Sequence, residues 1–193
     1  LLCRETASAL PPEMKQRFAT YFSDALTQLL EHHKDPTSGL IASGHNHTWM
    51  DTIGRTGCRV EIQAMAILVS ELADDWSNTR DWEQWRAEHR SQVHSWLVAD
   101  GNLYDGITES HEIDGAIRPN VLLALLIDPL LVPRSTWEQT ALRVLDECTT
   151  SWGGLRSLSH LDPAFQAVSM GESNTSYHQG DSWLMVDGLA ATA

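Results

Sequence analysis

The chain has 193 residues and an acidic composition, with 13 basic and 26 acidic side chains and a formal net charge of -13. Hydrophobic residues make up 42% of the chain and charged residues 20%, which is typical of a globular protein that can bury a core. An acidic surface repels phosphate backbones and anionic lipids, so we expect no nucleic-acid partner and no membrane attachment. The longest apolar run, Val121 to Ile127, is far shorter than the roughly 20 residues that a membrane helix requires.

The three cysteines, Cys3, Cys58 and Cys148, are odd in number and widely spaced, which favours reduced thiols. No secretory signal is visible at the N-terminus, so we predict a cytoplasmic location. Residue 1 is Leu rather than Met, and the last residues lie in a helix-like pattern without a stop signal. We therefore expect the chain to be a piece of a longer protein.

Apolar residues recur at three- and four-residue spacing in six stretches, which predicts six helices separated by long loops. Pro11-Pro12 opens the first helix, Asp81 can cap the third, and Pro119 suits the first turn of the fourth. No alternation typical of strands persists for more than a few residues, so we predict an all-α fold that forms one domain or part of one. The predicted helices cover residues 11–34, 60–76, 81–98, 119–130, 135–149 and 179–193.

The polar residues concentrate in the loops, and loops of this length in a compact protein usually carry function. Each loop ends one helix or opens the next with a distinctive string of residues. The strings are TWMD at 48–51, VEIQA at 60–64, RPN at 118–120, GLRSLS at 154–159 and YHQG at 177–180, the last followed by Trp183.

These five strings, in this order, resemble the amylo-α-1,6-glucosidase domain of glycogen debranching enzymes over about residues 36 to 188. The resemblance implies an (α/α)6 toroid of the glucoamylase type, in which paired helices form two rings and the loops build a pocket at one end. Such a ring needs about twelve helices, so we expect this chain to contain only part of it. The exposed helix faces of a half ring favour association.

The resemblance implies inverting hydrolysis of α-1,6-linked glucose at glycogen branch points, with Asp51 as the general acid. Residue chemistry agrees with this role, because glycoside hydrolysis uses two carboxyl groups and an apolar neighbour such as Trp49 keeps one of them protonated. The alternative for Asp51 is a helix N-cap or an Asx turn. We expect the general base beyond Ala193, because Glu172, Asp181 and Asp187 match no motif of the family.

The resemblance also places eight residues around the glucose. They are Trp49, Glu61, Gln63, Arg118, Asn120, His178, Gln179 and Trp183. The alternatives are helix-dipole electrostatics for Glu61, a loop-anchoring pair of Arg118 with Asp114, and a capping cluster at 178–183. Of the eight tryptophans, we assign Trp49 and Trp183 to the sugar pocket and the other six to the core.

Nine histidines suggest a metal site, but neither HExxH nor zinc-finger spacing is present, so we expect no metal and no cofactor. The expected partner is an α-glucan or glycogen oligosaccharide, and the oligomeric state stays open. Two alternatives remain. The chain is a catalytically incomplete fragment with at most weak α-glucan binding, or it is another hydrolase on the same toroid, either trehalase-like or a processing α-glucosidase.

Overall fold

The computed structural model describes residues 9–169, 171 and 176–190. This part of the chain is rich in helices and is compatible with an all-α fold. The helices are α1 Pro12–His33, α2 Val60–Ser77, α3 Glu83–Leu97, α4 Asn120–Ile127, α5 Arg134–Cys148, α6 Ser176–Gln179 and α7 Leu184–Ala190. Four two-residue strands lie between them: β1 Cys58–Arg59, β2 Val98–Ala99, β3 Asn102–Leu103 and β4 Gly106–Ile107.

The first five helices correspond closely to the predicted ranges, but the last predicted helix does not. In the described part of the range 179–193, the structure has the end of the short helix α6, a break at Gly180–Trp183, and then α7; residues 191–193 lie outside the described residues. The glycine sits where its backbone passes close to another segment, because a Cβ on Gly180 would lie only 2.1 Å from the carbonyl oxygen of Gln166. The break therefore belongs to the packing against the loop that follows α5, which we call the third loop.

Helix α2 forms the centre of the core, with α1, α3 and α4 packed against it. Its residues Val60, Ala64 and Ile67 are fully buried together with Val93 and Leu97 of α3. A smaller cluster of Leu26, Ile41 and Ala66 fills the space between α1 and α2. The polar loops therefore rest on a rigid helical base.

The turn between α2 and α3 is fixed by Asp74 rather than by the predicted cap, Asp81. Both carboxylate oxygens of Asp74 accept from the backbone N–H of Trp82 at 3.3 Å, and Thr79 Oγ1 donates to Asp74 Oδ1 at 3.1 Å. Arg86 Nη1 donates to Asp74 Oδ2 at 2.7 Å. One buried carboxylate thus joins the end of one helix to the start of the next.

The strands form two small antiparallel pairs, β1 with β4 and β2 with β3. In the first pair, Cys58 lies opposite Ile107 and Arg59 lies opposite Gly106. This pairing holds the loop before β4, including Asp105, next to the start of α2. Strand pairing therefore positions a carboxylate that the helical pattern alone does not place.

One assignment of tryptophan to the core is wrong. Trp152 is 68% exposed, whereas Trp137 is buried and Trp76, Trp82, Trp85 and Trp96 are half-buried.

Within the described residues, every helix is too short or too polar to cross a lipid bilayer.

Candidate active site

A buried ion-pair network lies under the loop that carries residues 48–51. Arg55 donates from Nη1 and Nη2 to the two carboxylate oxygens of Glu61, at 2.8 and 3.2 Å. Its Nε and Nη2 donate to Asp105 Oδ2 at 2.9 and 2.8 Å, and Nη1 also donates to Thr48 Oγ1 at 3.0 Å. All three charged side chains are buried, so removing Arg55 would leave the buried Glu61 without its positive partner.

Asp105 is the negative centre of this network. Burial alone raises the pKa of Asp105, but Arg55, Arg118 and Arg59 together hold it below its usual value. For Glu61 the balance is opposite, because burial raises the pKa by more than the single Arg55 partner lowers it. Asp105 is therefore the carboxylate that stays ionised and orients its neighbours.

Asn120 connects Asp105 to Trp49. Its Nδ2 donates to Asp105 Oδ1 at 2.7 Å, and its Oδ1 accepts from Trp49 Nε1 at 2.9 Å. An ionised carboxylate can only accept and an indole N–H can only donate, so the orientation of the amide is determined. The amide in turn fixes the Trp49 indole and brings the strings at 48–51 and 118–120 together.

Arg118 fastens the third loop to the site. Its Nη1 donates to the carbonyl oxygens of Ser157 at 3.0 Å and His178 at 2.6 Å. Arg118 and Asp114 form no direct ion pair, and Asp114 instead accepts from Arg59 Nη1 at 2.6 Å. The buried Arg118 Nε has no hydrogen-bond partner among the described residues, so one donor remains to be satisfied.

The remaining two strings meet through backbone and side-chain contacts. Gly180 N donates to Ser157 Oγ at 3.0 Å, and Ser157 N donates to the carbonyl oxygen of Asp181 at 3.0 Å. The segment 154–159 is therefore hydrogen-bonded directly to the segment that follows His178 and Gln179.

Three aromatic rings form the wall of the site. His178 and Trp183 stack with ring centroids 5.5 Å apart, and Trp49 meets both edge-on at 5.2 and 6.2 Å. Trp183 Nε1 donates to the carbonyl oxygen of Tyr177 at 2.9 Å, which fixes the indole. The cluster offers an apolar aromatic surface, while the His178 ring is buried and its two nitrogen atoms have no hydrogen-bond partner among the described residues.

Asp51 lies at the rim of this wall. Its Oδ1 is 3.5 Å from His178 Nε2, a separation too long for a well-formed hydrogen bond, and its side chain is 61% exposed. Burial lowers the pKa of His178, so its ring is neutral at pH 7. No helix begins at Asp51, so the N-cap alternative is wrong.

The two predicted glutamines differ in what they can offer a ligand. Gln63 is fully buried and its amide is used by the backbone: Oε1 accepts from Ile41 N at 2.9 Å, and Nε2 donates to the carbonyl oxygens of Ile41 at 2.8 Å and Arg59 at 3.0 Å. Through these hydrogen bonds, Gln63 connects α2 to the loop that follows α1. Gln179 is half-buried, and its side chain has no hydrogen-bond partner among the described residues.

Sequence reasoning missed Arg55 and Asp105, which join Glu61 to Asn120. Both lie in polar loops where charged residues are common, so their sequence positions did not distinguish them. The glycines at 54 and 57 around Arg55 were the one local signal, since they mark a tightly folded segment. Among residues 9–169, 171 and 176–190, no group of His, Cys, Asp and Glu side chains could hold a metal ion.

Comparison with known proteins identifies one family. The model of the family described as Amylo-alpha-1,6-glucosidase matches residues 12–193. No curated protein matches the chain.

Proposed function

We propose, because the chain belongs to the amylo-alpha-1,6-glucosidase family, that it acts on α-1,6-linked glucose at the branch points of glycogen or a related α-glucan. The observation that carries the proposal is the convergence of five distant strings on one place. Trp49 contacts Asn120, Glu61 reaches Asn120 through Arg55 and Asp105, and Arg118 holds His178. The stability of the fold does not require an exposed carboxylate such as Asp51 beside the three aromatic rings, so this arrangement supports a functional role.

In the proposed reaction, Asp51 donates a proton to the glycosidic oxygen as the bond to the terminal glucose breaks. A water molecule attacks the opposite face of the sugar, and a second carboxylate accepts a proton from it. The two carboxyl groups of an inverting enzyme stand about 6.5–9.5 Å apart to admit that water. We propose that this base lies outside the described residues.

The neighbouring side chains have distinct proposed roles. The neutral His178 and the half-buried Gln179 hydrogen-bond the sugar hydroxyls, and the indoles of Trp49 and Trp183 contact its apolar face. Arg118, Asn120, Glu61 and Gln63 hold these groups in position through their buried contacts. We further propose that the helices form part of an (α/α)6 toroid and that the enzyme works in the cytoplasm.

The test uses the longest natural protein that contains this chain and a singly branched oligosaccharide. Asp51→Asn is expected to reduce glucose release at least about a hundredfold, because proton donation to the leaving group is lost, while glucan binding is retained. The matched control is Asp146→Asn, which changes an exposed carboxylate on α5 and should leave the rate unchanged.

Proton NMR of the released sugar provides a second readout. Inversion at an α-linkage yields β-glucose first, and the α-anomer then appears by mutarotation. Full activity of Asp51→Asn would remove Asp51 as the acid, and release of α-glucose as the first product would contradict the inverting mechanism.

One observation favours a second candidate, in which this chain by itself binds α-glucan without turning it over. A catalytic acid needs an apolar enclosure that keeps it protonated, and the Asp51 side chain is instead 61% exposed. Under this candidate the isolated chain binds a branched oligosaccharide but releases no glucose. Measurable release by the isolated chain excludes it.

A further inference from the structure

Trp152 lies on a turn whose backbone is held by three hydrogen bonds. Thr150 N donates to the carbonyl oxygen of Gly154 at 2.8 Å, Gly154 N donates to Thr150 Oγ1 at 2.9 Å, and Gly153 N donates to the carbonyl oxygen of Thr150 at 3.1 Å. Gly153 adopts a φ of +96°, which favours glycine. These hydrogen bonds and the conformation of Gly153 fix the backbone on which the Trp152 side chain is carried.

The indole of Trp152 rests on Gly154. A Cβ on Gly154 would lie 2.0 Å from the Cη2 atom of the Trp152 ring, so a side chain at position 154 would displace the indole. Gly154 is buried, whereas Trp152 is 68% exposed. The glycine therefore lets the indole lie against the turn while most of its apolar surface stays accessible.

The exposed ring lines a cavity of about 420 Å³ together with Tyr177 and Trp183. This volume lies within the range of about 300–1,000 Å³ that is common for small-ligand sites. Trp183 also stacks on His178 of the candidate active site. The cavity is therefore directly adjacent to the place where the terminal glucose would sit.

The rim of the cavity is polar. Asp181 Oδ2 accepts from Ser169 Oγ at 3.1 Å and from Ser176 Oγ at 3.3 Å, while Asp181 Oδ1 has no partner among the described residues. Aromatic walls with hydroxyl and carboxylate groups at the edge match the surface of a pyranose, which has apolar faces and a rim of hydroxyl groups.

We infer that Trp152 forms the outer wall of a second sugar subsite, which binds the unbranched α-glucan chain next to the branch point. This inference rests on the proposed function for its substrate class. The subsite adds binding energy away from the reacting bond, so it discriminates long glucan chains from short ones.

The experiment measures binding of maltoheptaose by calorimetry to the wild type and to four variants. Trp152→Ala is expected to weaken binding about tenfold, because one apolar stacking face of the sugar is lost. Gly154→Ala should weaken binding through displacement of the ring, and Trp152→Tyr should restore most of the affinity. The matched control is Leu142→Ala, since Leu142 is an equally exposed apolar side chain at 69% but lies on α5, outside the cavity.

Maltoheptaose has no branch, so its binding is independent of Asp51 and of glucose release. Unchanged affinity in Trp152→Ala overturns the subsite while leaving the proposed function intact. An inactive parent enzyme with Trp152-dependent binding overturns the reaction and keeps the subsite. If Trp152→Ala instead abolishes self-association in sedimentation, a second copy covers the ring and the inference is wrong.

Discussion

The imidazole of His89 is fully buried in α3, and neither ring nitrogen has a hydrogen-bond partner among the described residues. The ring stacks on Trp85 with centroids 4.6 Å apart. Burial lowers the pKa of His89 to about 4. The neighbouring Gln92 side chain offsets part of this effect, and the positive charges of Lys34 and Arg90 add to it. The folded state therefore holds His89 neutral well below the pH at which an exposed histidine gains a proton.

This burial makes stability depend on pH. The unfolded chain binds a proton to His89 near pH 6.5 and the folded chain only near pH 4, so stability falls as the pH falls through this window. His89→Phe keeps the ring stack and removes the titration. Relative to the wild type, we expect the variant to gain about 3 kcal/mol in unfolding free energy between pH 7 and pH 4, measured by urea denaturation.

A control variant on the same helix separates this effect from a general change in charge. His94→Phe replaces an exposed histidine one and a half turns away. It should leave the difference between pH 7 and pH 4 as in the wild type. Parallel pH profiles for His89→Phe and wild type would show that His89 does not titrate in this window.

Some residues of the candidate site could be predicted from their sequence motifs, whereas others could be identified only from the packing of the folded chain. Trp49, Asn120 and His178 are recognisable because each belongs to a distinctive string, and the structure brings them into contact. Arg55 and Asp105 were not recognisable. Their importance comes from a buried network that joins residues 50 positions apart, and no local pattern encodes such a partner.

At the scale of elements, helices were predictable because their pattern is local. The apolar spacing in α1 through α5 follows from the 3.6-residue turn, and the structure has a helix in each predicted range. The strands were not predictable, since each has two residues and exists only through its partner. The predicted cap Asp81 was wrong because Asp74, eight residues before Trp82, already accepts the N–H group at the start of α3.

The hairpin of α2 and α3 therefore depends on Asp74. Asp74→Ala removes the acceptor for Trp82 N–H and leaves the mostly buried Arg86 without its carboxylate. We expect a loss of about 3 kcal/mol in unfolding free energy, measured by urea denaturation. The neighbouring Asp75→Ala, at an exposed position of the same helix, should change stability by less than about 0.5 kcal/mol. Equal effects of the two substitutions would refute the role of Asp74 as the joint.

At the scale of the whole molecule, helix α1 carries an exposed apolar stripe. Met14, Phe18 and Tyr21 recur at helical spacing and are at least two-fifths exposed. Together with Arg17 they line a cavity of about 340 Å³. A contiguous patch of this kind on a surface rimmed by charge favours protein contact.

We expect the chain to self-associate through this stripe in a concentration-dependent manner. The double substitution Met14→Lys with Tyr21→Lys should shift the protein toward monomer in sedimentation velocity, because it places charge on the apolar face. The control, Gln16→Lys with Thr27→Lys, adds the same two charges at exposed polar positions of α1. Since the chain carries a net charge of -13, added lysines alone reduce mutual repulsion and favour association. Dissociation by the first pair and not by the second therefore assigns the contact to the stripe, whereas a wild type that stays monomeric at every concentration would contradict it.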